Sequence, residues 1–282
     1  MRSGLTWDVL VTKRESLTRD APFLPEGLGW VTNTSTLISG ERDAVLVDTF
    51  VTREQNAELV EWVKSRNVNL TTIYVTHGHG DHFFGVADLL DAFPGARAVA
   101  TPGSVEKARE HASRPVLESF WNVRFPGAIR QDQVVPEALD GDTIDLEGHA
   151  LQILDAGFTD TAATTVLWVP DAALLVAGDV VYNDTHIFLA ETDAGTRASW
   201  RATLGRLAEL GAVTAVAGHK HPDSADDASH IRATLTYLED FEALAAEAAD
   251  AEGLYRAIVE RNPHRANPGS AWAASKRVFG LD

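Results

Sequence analysis

The sequence predicts an α/β fold in which helices pack on β-sheet, and three observations carry that expectation. Strand-like and helix-like runs alternate from Trp7 to about residue 101, an order that lays helices against a sheet. Four further strand-like runs follow between Thr143 and Ala177, set apart by Gly and Pro. Between one strand and one helix stands His77-Gly78-His79-Gly80-Asp81-His82, where two glycines allow a sharp turn and four polar side chains converge.

Taken in order, Trp7 to Val11 and Gly29 to Ile38 read as strands, with Pro22, Pro25 and Gly27 marking the loop between them. Ala44 to Asp48 is a short apolar run, read as a buried strand with polar groups at its end. Asp48 is either a carboxylate that orients a ligand histidine or a turn residue that satisfies local N–H groups. Arg53 to Arg66 is helical, with Leu59, Val60, Trp62 and Val63 at helical spacing. Thr71 to Thr76 is the strand entering the His-rich loop, Phe83 to Phe93 the helix leaving it, and Arg97 to Ala100 the next strand. Residues 102–140 hold Pro102, Pro115, Pro126 and Pro136 together with Phe120, Trp121 and Phe125. Beyond a helix over Val105 to Ala112 this stretch reads as loop, either a surface excursion or a wall over the substrate.

Thr143–Leu146, Leu151–Asp155, Thr165–Val169 and Ala173–Ala177 read as strands. Gly178-Asp179 closes the last of them, and Val180 to His186 reads as a loop. Arg197 to Leu210 is an amphipathic helix, Val213 to Ala217 a strand, and Gly218 to Pro222 a turn. From Asp226 the pattern is helical, over about 226–249, 251–261 and a short piece near 270.

Composition narrows the function classes. The chain has 282 residues with 45% hydrophobic content, ordinary for a globular protein with a sizeable core. A net charge of −17 and a pI near 4.9 argue against a nucleic-acid or anionic-membrane binder. With no cysteine there is no disulfide, thiolate metal site or cysteine nucleophile. Met1 to Leu10 lacks a long apolar region, and no apolar run approaches the ~20 residues that span a bilayer. The cytoplasm is the expected location.

Three imidazoles and a carboxylate at H-x-H-x-D-H spacing match metal-ligand usage, and they suit zinc, iron or manganese better than magnesium. Together with Gly178-Asp179 after a later strand and Gly218-His219 after a strand–helix–strand, they resemble the metallo-β-lactamase fold superfamily. The resemblance covers most of the chain. It implies a four-layer αββα sandwich, two sheets face to face with helices outside and the site at one edge. Residues 1–282 would be one domain, with residues 226–282 a helical extension packed on the sandwich. It implies two metal ions, with His77 and His79 on the first, Asp81, His82 and His219 on the second, and Asp179 on both. It also places a further histidine in a Gly-His-Thr turn. The matching turn here is Gly157-Phe158-Thr159, with Phe158 at the histidine position and Asp160 a nearby carboxylate able to serve as ligand or turn residue.

The activity implied is hydrolysis, in which a metal-bound hydroxide attacks an ester, lactone or thioester-like small molecule and Asp81 orients the nucleophile. The cofactor expected is one or two zinc ions, with iron or manganese as alternatives. Tyr182, Asn183 and His186 follow Asp179 closely and are candidates for substrate contact or oxyanion stabilisation. Phe158, Phe120, Trp121 and Phe125 are candidates for the substrate wall. Nucleases of this superfamily carry a large insertion between the segments of Asp179 and His219, only 40 residues apart here. Glyoxalase-type relatives bind glutathione through a helical C-terminal domain, but no motif in this tail identifies that ligand. Phe158 leaves two alternatives open: non-haem iron chemistry of the oxygenase or lyase type, and a catalytically impaired binding protein.

Overall fold

The structure, a computed structural model, describes residues 4–281. Its elements run β1 (Thr6–Glu15), β2 (Trp30–Ser39), β3 (Asp43–Val47), α1 (Arg53–Ser65), β4 (Asn69–Tyr74), α2 (Gly80–Phe83), α3 (Val86–Ala92), β5 (Arg97–Ala100) and α4 (Pro102–His111). Short turns α5 (Arg114–Val116) and α6 (Asn122–Arg124) flank a π-helical turn at Leu117–Trp121. Then come β6 (Glu137–Ala138), β7 (Thr143–Leu146), β8 (His149–Gly157), β9 (Thr164–Val169), β10 (Leu174–Asn183), α7 (Ala194–Leu207), β11 (Thr214–Lys220), α8 (Ser229–Glu247), α9 (Ala251–Arg261) and α10 (Pro268–Val278).

Two sheets form. One has the order β1-β2-β3-β4-β5-β6 and the other β11-β10-β9-β8-β7. Strands β3 to β6 pair in parallel, while β1, β2 and β3 pair antiparallel. Three apolar clusters give the layers. Ile38, Val45, Val47 and Tyr74 meet Ile153, Leu167, Val176 and Val216 between the sheets. Leu46 and Ile73 pack outward against Leu59 and Val63 of α1 and Leu89 of α3. Val166, Leu175 and Val181 pack outward against Trp200 and Leu204 of α7, Leu238 and Phe241 of α8 and Tyr255 of α9. This is the four-layer αββα sandwich expected from the sequence. No helix among the described residues is long and apolar enough to cross a membrane.

Three departures from the sequence expectation bear on the site. The helix expected over 83–93 is two pieces, α2 and α3, broken at Phe84-Gly85. A Cβ on Gly85 would lie 2.1 Å from the Asn56 side chain, so this close approach is open only to glycine. The stretch beyond Ala112, expected to be loop, is helical on both sides of Trp121, and the π turn sets the Trp121 ring against Phe84 with 5.1 Å between centroids. Strand β10 does not end at Asp179 but continues to Asn183, with register shifts against β11 on either side of Gly178. Gly178 takes φ +49°, and a Cβ there would lie 2.6 Å from Thr76 Oγ1. The irregularity breaks the strand's alternation where Asp179 must turn inward.

The tail helices lean on this frame. Leu238 of α8 is fully buried, so Leu238→Ala is expected to lower the unfolding free energy by about 2–5 kcal/mol. Urea denaturation checks this; a loss under about 1 kcal/mol would show that α8 contributes little to the core.

Candidate metal centre

The His-rich loop lies where β4 hands over to α2, and its glycines act through space rather than through backbone angle. Neither Gly78 nor Gly80 has a positive φ. A Cβ on Gly78 would lie 2.5 Å from the Ala108 backbone nitrogen, and one on Gly80 equally close to the Phe84 ring. Their absence lets α4 and the Phe84–Trp121 pair close over the loop. His77, His79, Asp81 and His82 are all buried.

Each imidazole is oriented by a partner on its outer nitrogen. His82 Nδ1 lies 3.0 Å from Asp48 Oδ2. Asp48 also accepts from the Thr76 backbone N–H and hydroxyl, at 2.8 Å each, so it meets both a histidine ring and the local N–H of the turn. With its own proton given to Asp48, the Thr76 hydroxyl accepts from His77 Nδ1 at 3.0 Å. His79 Nε2 donates to Glu191 Oε1 at 2.9 Å, and His219 Nδ1 donates to the Thr32 carbonyl. These partners fix the tautomers and leave the four other ring nitrogens as lone-pair donors facing inward.

The inner nitrogens face carboxylates. His79 Nδ1 and His77 Nε2 stand 3.0 Å and 3.6 Å from Asp160 Oδ2. His82 Nε2 lies 3.3 Å from Asp179 Oδ1, and His219 Nε2 lies 3.0 Å from Asp179 Oδ2. Asp81 Oδ2 lies 4.0 Å and 3.8 Å from His82 Nε2 and His219 Nε2. His77 Nε2, His82 Nε2, Asp160 Oδ2 and Asp179 Oδ1 are buried with no hydrogen-bond partner. The inward donor atoms form three groups of metal-ligand type, His77-His79-Asp160, His77-His82-Asp179 and Asp81-His82-His219, and a fourth among the described residues joins His79 to His111 and Glu191. Buried polar atoms without partners are costly, and one or two divalent cations would satisfy these four at once. The donor set fits the expected metal centre.

Charge in the cluster follows the same geometry. Burial opposes the imidazolium of His79, but Asp160 and Glu191 outweigh it and push the group up to about 10. Burial, joined by His82, pushes His77 down to about 4. Burial works to raise Asp179, yet His219 and His82 hold it well below the usual carboxylate range. Gly218 makes room for this carboxylate, since a Cβ there would fall 2.1 Å from Asp179 Oδ1.

At the turn after β8 the sequence left two roles open for Asp160, and the structure turns it towards the cluster. Asp160, not Phe158, stands opposite His77 and His79. Phe158 is half-buried and does not line the cavity above the cluster. That cavity, of about 60 Å³, is lined by His79, Asp81, Asp179 and His219, by Phe120, Trp121 and Phe188, and by Arg14 and His111. Phe120 and Trp121 are therefore at the site, whereas Phe125 packs behind Trp121 with 6.3 Å between ring centroids. Tyr182 lines the cavity too, and its hydroxyl donates to Asp179 Oδ2 at 2.9 Å. His186 and Asn183 do not line it. His186 Nδ1 pairs with the Tyr237 hydroxyl at 3.0 Å, and Asn183 Nδ2 donates to the Ala225 carbonyl at 2.9 Å. Sequence reasoning missed Arg14, His111 and Glu191, which reach the site from β1, from the end of α4 and from the turn before α7. Nothing local in the sequence marks them.

The family model of the metallo-β-lactamase superfamily matches residues 28–219, and the chain belongs to that superfamily. It is 26% identical over 192 residues to a hydroxyacylglutathione hydrolase from Parasynechococcus marenigrum (strain WH8102), covering 67% of this chain and 64% of the relative. It is 24% identical over 183 residues to a type 2 metallo-β-lactamase from Bacteroides fragilis, covering 64% and 66%. A 63-residue stretch is 43% identical to an atrochrysone carboxyl ACP thioesterase from Pseudocercospora fijiensis, covering 22% and 19%. In each case the match spans less than two thirds of the relative's length. Among solved structures, a metallo-β-lactamase family protein from Thermus thermophilus superposes with TM-score 0.64 at 22% identity, covering 96% of this chain and 91% of that one. A metallo-β-lactamase from Pontibacter korlensis gives 0.61 at 21%, covering 83% and 100%.

Asp48 touches the cluster only through His82 and Thr76, so Asp48→Ala is expected to weaken divalent-metal binding about 10–100-fold while the protein still folds. Competition against a chromophoric chelator measures this; unchanged affinity would show that Asp48 serves the turn alone.

Proposed function

We propose that the chain is a metal-dependent hydrolase acting on a small ester, lactone or thioester. One observation carries the reading: four oriented imidazoles and three carboxylates face one another, with inner atoms of His77, His82, Asp160 and Asp179 left partnerless, and His79, Asp81, Asp179 and His219 of this cluster line a partly apolar cavity. His77, His79, Asp160 and Asp179 would hold one ion, and Asp81, His82, His219 and Asp179 a second. Divalent cations bound there would polarise a carbonyl and lower the pKa of water from 15.7 towards about 7. Named activities among the relatives, a hydroxyacylglutathione hydrolase and an ACP thioesterase, support acyl-bond hydrolysis.

The chain's own residues supply the rest. Phe120, Trp121 and Phe188 form an apolar wall that takes the acyl part of the substrate and excludes water from the cluster. Tyr182 holds Asp179 with its hydroxyl, which keeps that carboxylate turned towards both halves of the site. His111 lies beside His79, with 5.1 Å between ring centroids, and its Nδ1 is buried without a partner. Burial, with His79 and Lys107 adding to it, pushes His111 down to about 3. It therefore meets the substrate as a neutral imidazole with one free hydrogen-bonding nitrogen.

A second reading, lyase or redox chemistry at iron, is favoured by the His77-His79-Asp160 group, a two-histidine, one-carboxylate set. The reading as an impaired binding protein rests on Phe158 alone, and Asp160 facing the two histidines supports a metal centre instead.

Purified protein loaded with zinc or manganese is expected to hydrolyse p-nitrophenyl acetate, a γ-lactone or an acyl thioester. Chelation should abolish the activity and added metal restore it, and His79→Ala should lower kcat/KM at least about a hundredfold. Absence of hydrolysis with either metal, together with one iron per chain in protein purified without added metal, would favour the second reading.

A further inference from the structure

The two halves of the cluster differ in what already occupies their carboxylates. Asp160 is fully buried in the turn between β8 and β9. Its Oδ1 accepts from the Thr159 hydroxyl at 2.9 Å, which leaves Oδ2 turned to His77 and His79 with no hydrogen bond. The next residue, Thr161, donates at 2.6 Å to Glu191 Oε2, while Glu191 Oε1 takes the outer N–H of His79. One short turn thus positions the carboxylate and, through Glu191, the histidine beside it.

Asp81 is the opposite case. Its Oδ2, the oxygen that faces His82 and His219, accepts from Arg14 Nη2 at 2.8 Å and from Asn33 Nδ2 at 3.0 Å. A carboxylate oxygen has two lone pairs, and both are used. Arg14 Nε donates to Asn33 Oδ1 at 2.9 Å, so the three residues close into one network. The Arg14 side chain is itself buried, 7% exposed, and sets a fixed positive charge beside the position of any second cation. An ion that binds Asp81 through this inward oxygen must displace Arg14 from it or share it.

We infer that the chain carries one tight metal site, His77-His79-Asp160-Asp179, with Asp160 as a ligand, and one weak site, Asp81-His82-His219-Asp179, controlled by Arg14. The inference rests on the metal centre proposed above but not on hydrolysis. Occupation of the weak site is then coupled to movement of Arg14, whose guanidinium lines the same cavity. A ligand with a carboxylate or phosphate able to draw Arg14 away from Asp81 would favour the second ion.

The test is a zinc titration of the full chain in chelator-buffered zinc, with bound metal counted per chain. The wild type should bind one zinc tightly and a second at least tenfold more weakly. This measurement needs no variant, so it stands even if a substitution disturbs folding. Asp160→Asn should weaken the first ion at least tenfold and leave the second little changed. Arg14→Gln should bring the second ion to within tenfold of the first, whereas Arg14→Lys, which keeps the charge, should not; melting curves report which variants fold. Two equally tight ions in the wild type, or an Asp160→Asn variant with unchanged affinity, would overturn the inference while leaving a metal centre standing. No bound zinc at all would overturn both.

Discussion

The structure turns on one constraint: four imidazoles are buried together with their outer nitrogens already committed. Asp48, Thr76, Glu191 and the Thr32 carbonyl take those nitrogens. The rings cannot turn to satisfy their inner nitrogens elsewhere, and the inner carboxylate atoms Asp160 Oδ2 and Asp179 Oδ1 are equally without partners. Leaving a buried polar group unsatisfied costs roughly 1–3 kcal/mol, more when it is charged. Burial opposes charge on His79 and His82, but the facing carboxylates, Asp160 and Glu191 for the one and Asp179 and Asp81 for the other, raise both. The fold supports this arrangement because a cation can offset its cost.

The sandwich supplies the rigidity this needs. Asp48 follows β3, the histidine loop follows β4, Asp179 lies at the irregularity in β10, and His219 lies near the end of β11. The two sheets bring these segments together at one edge, and the apolar layer between them fixes their spacing. Gly178 and Gly218 mark the points where the approach is too close for a side chain. Helix α4 and the Trp121 turn then cover the loop and form one wall of the cavity.

Much of this was legible in the sequence where chemistry and spacing are local. The H-x-H-x-D-H loop, Gly178-Asp179 and Gly218-His219 come together in the structure, and the alternation of strands and helices pointed to the layers. At the turn after β8, Gly157-Phe158-Thr159 fits the Gly-His-Thr frame in sequence, which left Asp160 open as ligand or turn residue. Only the approach to His77 and His79 separates the two. Strand β10 read as ending at Asp179 because glycine commonly punctuates strands, whereas here it marks an irregularity within one. Arg14, His111 and Glu191 were invisible for a simpler reason. Each is an ordinary surface-type residue in its own segment, and its role comes from partners 67, 32 and 112 positions away. His186 shows the converse: proximity to Asp179 in sequence suggested a place in the site, but its ring turns to Tyr237.

The central claim is that the inward-facing atoms form a metal centre in which Asp160 takes part. Anomalous-difference density at a metal absorption edge, from crystals of protein purified without chelator, tests it most directly. The account predicts a peak bonded to His77 Nε2, His79 Nδ1, Asp160 Oδ2 and Asp179 Oδ1. No peak within the cluster, or a peak at the two histidines with Asp160 turned away, would contradict it.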